Sequence, residues 1–200
     1  GDELGAVRAH LRDQVADNGI DGAPGSASVT FLGVERIDVL RFGPAGGLLH
    51  YVSLGCARHP MGDPAALAVD PLRGPRAEIV VSLRDTVATP GLARTVAVLA
   101  ATPAVDGVVL AADALIDLGA PLWERPPGLP LFSAVVLEPS DIADLVLEPP
   151  RDPVTFLRAV PITANEAAWV RLKGVEALRE AWRQDGFDLT DPGRGAGQPT

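Results

Sequence analysis

Three residues whose side chains could do chemistry lie close together in the sequence: Cys56, His59 and Asp63. A thiolate, an imidazole and a carboxylate can hold zinc, and a cysteine beside a histidine can act as a nucleophile with its general base. A zinc site would need a fourth ligand, and neither His10 nor His50 lies near this segment. Because a free cysteine is more often a small buried side chain, we interpret residues 56–63 first as a structural loop. A small hydrolase or metal-dependent enzyme using this loop remains the alternative.

Asp38 lies between Arg36 and Arg41 on a segment with the composition of a strand. A carboxylate with a perturbed pKa can be catalytic, but most ionic groups on strands are structural. We therefore expect Asp38 to tie its strand to a neighbouring element.

Glu78, Glu166 and Glu176 are the remaining carboxylates that could work as a pair in acid–base hydrolysis. The sequence Thr163-Ala164-Asn165-Glu166 is a capping box, in which Thr163 and Glu166 satisfy each other's backbone N–H groups at the start of a helix. Glu176 falls on the charged face of that helix. Nucleotide-binding, zinc-protease and serine-hydrolase motifs are absent from the sequence. We therefore predict no catalytic residue, no metal site and no cofactor.

Hydrophobic periodicity predicts the elements that would position these residues. Leu4, Val7, Leu11 and Val15 predict a first helix, and Leu92, Val96 and Leu99 predict a second. The predicted strands are residues 29–32, 36–42, 48–54, 77–83, 131–137 and 154–160, with 145–147 as a candidate for a further short strand. Residues 44–47 predict a hairpin loop.

The capping box begins the last predicted helix. Its apolar face carries Ala168, Leu172, Val175, Leu178 and Trp182. Gly174 lies inside this helix and costs about 1 kcal/mol relative to alanine, so packing must hold the helix together. Periodicity ends at Gly186, which predicts a frayed tail.

Because the strands are grouped and do not alternate strictly with helices, we expect an α+β fold: a mixed, largely antiparallel sheet with flanking helices in a single domain. The predicted organisation is an N-terminal helix and loop at residues 1–27, the domain at residues 28–185 and a flexible tail at residues 186–200.

The net charge of −9 favours basic partners and disfavours nucleic acid and anionic lipid surfaces. Cys56 is the single cysteine, so no internal disulfide can form. No apolar run approaches the roughly 20 residues that span a bilayer. The acidic start, Gly1-Asp2-Glu3, does not have the basic and apolar pattern of a signal peptide. These features together predict a cytoplasmic protein.

Three stretches of sequence, taken in order, resemble the suppressor-of-fused domain family. Residues 36–42 resemble an early strand of the family, and residues 51–57 with Pro60-Met61 resemble its Thr-Leu-Gly-Met-Ser turn and trailing Pro-Met. Residues 76–83 are similar to the strand after that turn. Residues 156–166 resemble the late strand that ends in Val-Pro-Leu-Thr before the last helix. The likeness spans about residues 28 to 184.

The resemblance implies an α/β-type domain with a mixed sheet and no known catalytic activity. In animals the family's member is a two-domain hedgehog-pathway repressor that grips a peptide of a zinc-finger transcription factor, partly by strand addition. Stand-alone bacterial domains of the family are associated with toxin systems as immunity proteins. The chain departs from the family's turn at three positions, with Ser53, Cys56 and Ala57 where the family favours Thr, Met and Ser.

The leading hypothesis is a protein-binding module that neutralises a basic toxin domain, and a housekeeping adaptor without a toxin partner is a further alternative. The matched positions at which we expect partner contacts are Arg36, Asp38, Tyr51 and Met61. The oligomeric state is left open.

Overall fold

The computed structural model describes residues 3–17, 25–30, 35–62 and 70–198. These residues form four α-helices, seven strands and one short 3₁₀ helix at Cys56–Arg58. The helices and strands, in chain order, are α1 (Glu3–Asp17), β1 (Gly25–Val29), β2 (Ile37–Ala45), β3 (Leu48–Leu54), β4 (Arg76–Arg84), α2 (Leu92–Asp106), β5 (Leu115–Asp117), β6 (Phe132–Pro139), β7 (Val154–Thr163), α3 (Ala164–Lys173) and α4 (Val175–Asp185).

All seven strands belong to one sheet with the order β1-β2-β3-β4-β7-β6-β5. Neighbouring strands are antiparallel except β4 and β7, which run parallel in the middle of the sheet. A parallel pair needs a long crossover, and the chain between β4 and β7 supplies α2, β5 and β6. The predicted α+β single domain with a mixed, largely antiparallel sheet is therefore confirmed.

Helix α2 covers one face of the sheet. Val96 and Leu99 are fully buried against Val39 of β2 and Ile79 of β4, in a cluster that also includes the short edge strand β5. This helix begins after Pro90-Gly91, as its apolar spacing predicts. Because α2 packs over β2 to β4, its two ends lie beside the residues that the sequence predicted to be functional.

The opposite face of the sheet carries two separate clusters. In one, Val7 and Leu11 of α1 pack on Val52 and Phe42. The other, beneath α3 and α4, contains Ala134, Val136, Val160, Ile162, Ala167, Leu178 and Trp182. Helix α1 is thus part of the domain's own core. Within the described ranges, no helix is both long and apolar enough to cross a bilayer.

One predicted strand is displaced, one strand was not predicted, and the candidate strand at residues 145–147 is only a single bridge. The first strand is Gly25–Val29, whereas the sequence predicted residues 29–32, of which 31 and 32 lie outside the described residues. The predicted boundary between residues 27 and 28 falls inside this strand. It is mostly exposed and lies at the sheet edge, so it lacks the apolar alternation that periodicity detects. Strand β5 was missed because it has only three residues, and Leu145 forms one bridge to Val154 without a strand.

The last helix is broken where the sequence predicted continuity. Gly174, with φ 84° and ψ 163°, ends α3 and begins α4, so the two helices have different directions. Leu178 and Trp182 are buried as predicted, but Leu172 is 79% exposed and Ala168 is also exposed. A single helical period cannot describe two helices, and this explains why the predicted apolar face was wrong at its first two positions.

Residues 186–198 pack on the domain, and the predicted frayed tail is wrong for these residues. Arg194 is 4% exposed and lies 3.0 Å from both carboxylate oxygens of the fully buried Glu166. The same carboxylate accepts hydrogen bonds from Trp182 Nε1 at 2.7 Å and from the Gly197 N–H at 2.9 Å. The capping box at Thr163 is present as predicted, but Glu166 also anchors the chain end.

Candidate partner-binding site

The turn that follows β3 is held by one buried carboxylate. Glu78 is fully buried, and both of its oxygens accept hydrogen bonds. Oε1 accepts from the Ser53 hydroxyl at 2.7 Å and from the Cys56 N–H at 3.2 Å. Oε2 accepts from the N–H groups of Gly55 and Ala57, each at 3.0 Å. The side chain therefore binds three successive backbone amides, which fixes the conformation of the turn.

Two opposing effects act on the pKa of Glu78. Burial raises this pKa from 4.5 to about 7, because a buried site disfavours the charged form. The hydrogen bonds from Gly55, Ser53, Ala57 and Cys56 act in the other direction, because they stabilise the carboxylate. The effect of burial on the pKa outweighs that of the hydrogen bonds, and the same hydrogen bonds hold the turn.

Arg76 holds the same turn from the carbonyl side. The residue is 2% exposed. Its guanidinium donates hydrogen bonds to the carbonyl oxygens of Ala57 at 2.8 Å, Arg58 at 3.0 Å and Leu72 at 3.1 Å. Burial lowers the pKa of Arg76. Two buried charged residues, two positions apart on β4, thus hold one turn: Glu78 accepts from its backbone N–H groups and Arg76 donates to its backbone carbonyls.

Gly55, at the start of this turn, packs closely against β2. A Cβ atom on Gly55 would lie 2.7 Å from Ile37 Cδ1, closer than real Cβ contacts allow. The absence of a side chain lets the turn approach β2 and reach Glu78.

An open cleft of about 290 Å³ lies between this turn and the C-terminal half of α2. Met61, Ala101 and Pro103 contribute apolar surface, and Arg58, His59 and Glu35 contribute polar groups. Glu35 lies 3.2 Å from Arg58 Nε and 2.8 Å from His59 Nε2. An apolar cleft with a charged rim is the usual composition of a site that receives a side chain of a partner. We define residues 55–62 with the α2 surface at residues 100–104 as the turn cleft.

Cys56 and His59, the two described residues of the predicted chemical group, do not contact each other as a nucleophile and its base. Burial and the nearby Glu78 raise the pKa of the Cys56 thiol well above its ordinary value, so the thiol stays protonated at neutral pH. His59 contacts Glu35 instead of Cys56. Asp63 lies outside the described residues. Among the described residues, no cluster of three or more His, Cys, Asp or Glu side chains could hold a metal ion.

Arg36 and Asp38 form an ion pair, with Arg36 Nε 3.1 Å from Asp38 Oδ1. Asp38 is 6% exposed and also accepts from the Ser28 hydroxyl at 2.5 Å, while Arg8 of α1 lies 3.9 Å away. The expectation that Asp38 ties its strand to its neighbours agrees with these contacts. Arg36 also reaches the turn cleft through its backbone, since its carbonyl accepts a hydrogen bond from Arg58 Nη1.

Met61 and Tyr51 lie in different places. Met61 lines the turn cleft, is 6% exposed and accepts a hydrogen bond from the Leu110 N–H at its sulfur. Tyr51 faces a second cavity beside the N-terminus of α2. The structure therefore brings Arg36, Asp38 and Met61 near the turn but separates Tyr51 from them.

Sequence reasoning missed the roles of Arg76 and Glu78 in building the turn. A signal for both was present, because two charged residues stand at alternating positions in a strand, residues 76–83, whose other residues are apolar except Ser82. On a buried strand such charges must find partners on one face. Arg58 gave no signal, because its contacts depend on the path of the turn.

The family described as "Suppressor of fused protein (SUFU)" matches residues 33–195. No curated protein sequence matches the chain significantly.

Solved structures share the fold. A protein described as a SUFU homologue from Neisseria gonorrhoeae FA 1090 superposes with a TM-score of 0.70 at 18% identity, covering 98% of this chain and 96% of its own. The structure titled "the Sufu-Fu complex" gives a TM-score of 0.65 at 14% identity, covering 96% of this chain and 91% of its own. Drosophila Suppressor of Fused gives 0.62 at 14% identity, with 96% of this chain covering 50% of that one.

The family match covers most of the chain, and the structural likeness extends over nearly all of it. The turn built on Glu78, the late strand that enters α3 and the early strand at residues 36–42 are the segments that resembled the family in sequence. The chain belongs to the suppressor of fused (SUFU) family.

Proposed function

We propose that this chain is a non-catalytic protein-binding domain that receives an apolar side chain of its partner in the turn cleft. The SUFU family is a family of regulatory binding proteins that are not known as enzymes, and one structural neighbour is described in a Sufu–Fu complex. The observation that carries the proposal is the fixed turn beside the open cleft. Glu78 and Arg76 hold its backbone from two sides. A rigid surface loses little conformational entropy when it binds, which favours affinity.

The charge of the chain supports a basic partner. A net charge of −9 attracts a basic protein before docking and raises the association rate. An immunity-type role, in which the chain neutralises a basic toxin domain in the cytoplasm, fits this charge. A housekeeping adaptor would carry the same domain without a toxin partner, so a toxin gene beside this gene distinguishes the two roles.

The test uses a variant that fills the turn cleft. Ala104 is exposed and lines the cleft, so Ala104→Arg blocks it without disturbing the core. Ala168→Arg places the same charge on an exposed position of α3 and is the matched control. We expect a partner captured from the native host by the unmodified protein to bind the Ala168→Arg variant equally. The Ala104→Arg variant should bind it at least tenfold more weakly. Equal binding by both variants would exclude the turn cleft as the binding site.

The enzymatic alternative has its own test. Cys56→Ser combined with His59→Ala should leave the fold nearly unchanged, because the described structure pairs neither residue with the other. Stoichiometric zinc in the native protein that is lost from this double variant would support the metal-dependent enzyme instead.

A further inference from the structure

A second cavity, of about 360 Å³, lies between the edge of the sheet and the N-terminus of α2. It is bounded by β1, β2 and β3 on one side and by residues 89–93 on the other. Its volume is in the range of small-ligand pockets. It is separate from the turn cleft, which lies at the other end of α2.

Two polar side chains meet on the floor of this cavity. Arg41 of β2 and Tyr51 of β3 are directly opposite each other in the antiparallel register, so their side chains lie on the same face of the sheet. Tyr51 is only 9% exposed and lines the cavity. Its hydroxyl has no hydrogen-bond partner among the residues that the structure describes, and its oxygen is accessible, so it is open to a ligand. Arg41, which is exposed, has no carboxylate or carbonyl partner within the same set of residues.

The N-terminus of α2 supplies further donors at the cavity wall. Gly91 is the N-cap of this 15-residue helix and has no side chain that could accept from the first-turn N–H groups. The Leu92 N–H bonds to the Thr89 carbonyl, but the Ala93 N–H has no acceptor in the described part of the chain. The helix dipole places partial positive charge at this end. The N–H groups at such an N-terminus favour anions. The Tyr51 hydroxyl, which has no partner among the described residues, is a second donor at the same cavity.

The charge of the cavity is opposite to that of the chain. The chain carries a net charge of −9, yet no acidic residue is among the described residues that line this cavity. Its polar side chains are the Arg41 guanidinium, the Tyr51 phenol and the hydroxyls of Ser26 and Thr89, and each of these can donate a hydrogen bond. Donors that include a cation and no carboxylate are complementary to an oxyanion.

We propose that this cavity is a carboxylate-binding site formed by Arg41, the Tyr51 hydroxyl and the N-terminus of α2. Arg41 supplies the charge, and the Tyr51 hydroxyl and the Ala93 N–H donate to the carboxylate oxygens. The carboxylate can come from a free small acid or from a Glu side chain of a peptide lying beside β1, the outermost strand of the sheet. This site does not depend on the partner proposed for the turn cleft.

The proposal can be tested on the isolated protein by following backbone ¹⁵N–¹H signals during titration with sodium acetate. Sodium chloride at matched ionic strength is the reference. We expect saturable acetate shifts at Leu92 and Ala93 that chloride does not reproduce. Arg41→Gln should weaken binding about tenfold, and Tyr51→Phe, which removes only the hydroxyl, about fivefold. Arg12→Gln makes the same charge change on an exposed part of α1 and should leave acetate binding unchanged.

Two capped tetrapeptides distinguish the sources of the carboxylate, one with a single Glu and one with Gln in its place. If the Glu peptide binds at least tenfold more tightly than acetate, the site serves a protein side chain. If the two peptides bind equally and acetate still saturates, the site serves a free small acid. Shifts that are the same for acetate and chloride, or an Arg41→Gln variant that behaves like Arg12→Gln, would overturn the proposal.

Discussion

Glu78 shows how one residue converts a buried charge into a fixed surface. A carboxylate removed from water is costly unless its oxygens are satisfied, and here a hydroxyl and three backbone amides satisfy both oxygens. The amides belong to the turn that forms one wall of the cleft. The buried carboxylate therefore maintains the shape of the proposed binding site, because without it the backbone amides of the turn would lose their shared acceptor.

The pKa of Glu78 predicts how stability changes with pH. The folded pKa of about 7 lies above the ordinary value of 4.5, so the contribution of Glu78 to stability is fully present below pH 4.5 and is lost as the pH rises through 7. We expect the unfolding free energy of the native protein to fall, relative to Glu78→Gln, by about 3 kcal/mol over this interval. Urea unfolding at pH 4.5, 6 and 8 measures the difference.

The control for this measurement is Glu148→Gln, an exposed glutamate, which should give the same pH dependence as the native protein. At every pH, Glu78→Gln should also be less stable than the native protein, because its amide nitrogen would face backbone N–H donors. If the native protein instead gains stability over Glu78→Gln as the pH rises, Glu78 is ionised throughout and the direction of its pKa shift is wrong.

Arg194 is predicted to stabilise the domain strongly. Arg194→Met would leave the carboxylate of Glu166 buried without its cation, and breaking a buried pair in this way costs about 3–5 kcal/mol. Arg183→Met removes an exposed pair with Glu180 and should cost less than about 1 kcal/mol. Chemical denaturation of both variants compares the two losses. Similar small losses would mean that the tail does not stabilise the core.

At the scale of elements, the break at Gly174 lets α3 and α4 cover the same end of the sheet. Glu166 near the start of α3 contacts Trp182 on α4, across the break. This contact requires the chain to change direction between the two helices, and the dihedral angles of Gly174 provide the change. A continuous helix would carry Leu172 and Trp182 on one face, whereas Leu172 is exposed and Trp182 is buried.

Gly174→Ala distinguishes the broken helix from a continuous one. In a continuous helix the substitution would stabilise the protein by about 1 kcal/mol, because alanine is the better helix former. With φ 84° and ψ 163°, a conformation that is essentially restricted to glycine, we expect a loss of about 1–3 kcal/mol. Gly62→Ala, at a position with open space and no positive φ, should change the unfolding free energy by less than about 0.5 kcal/mol. Thermal and urea unfolding both report the sign.

At the scale of the whole molecule, the length of α2 separates two candidate surfaces. The turn cleft and the carboxylate cavity lie at opposite ends of α2 on the same face of the sheet. The net charge of −9 acts over the whole surface, whereas the carboxylate cavity has a local charge of the opposite sign. The acidic surface can therefore attract a basic partner, while the carboxylate cavity binds an acidic group.

Association with a basic partner should depend steeply on salt. The attraction between opposite net charges is screened over a Debye length of about 8–10 Å near physiological ionic strength. We expect the association rate to fall as salt rises while the dissociation rate changes little, because short-range contacts control dissociation. Stopped-flow mixing with the captured partner at low and high salt measures both rates. A flat association rate would exclude a basic partner and leave the protein-binding role without a toxin target.

The sequence by itself determined those features whose cause is local along the chain. Apolar spacing placed α2, the turn residues at Gly46-Gly47 placed the β2–β3 hairpin, and Thr163 with Glu166 marked the start of α3. The order of the short motifs also determined the family, because their spacing follows the strands that frame the turn. In each case the signal and the structure it specifies lie within the same few residues.

Only the tertiary structure decided which side chains meet. Glu78 reaches Gly55 across 23 positions, and Arg194 reaches Glu166 across 28. Tyr51, which matched the family's turn segment, faces Arg41 and α2 instead of the turn. These contacts depend on strand register and on how the helices pack, and both are set by the free energy of the whole core. The surfaces that could bind a partner are built from such distant residues, so their location could not be read from any single segment.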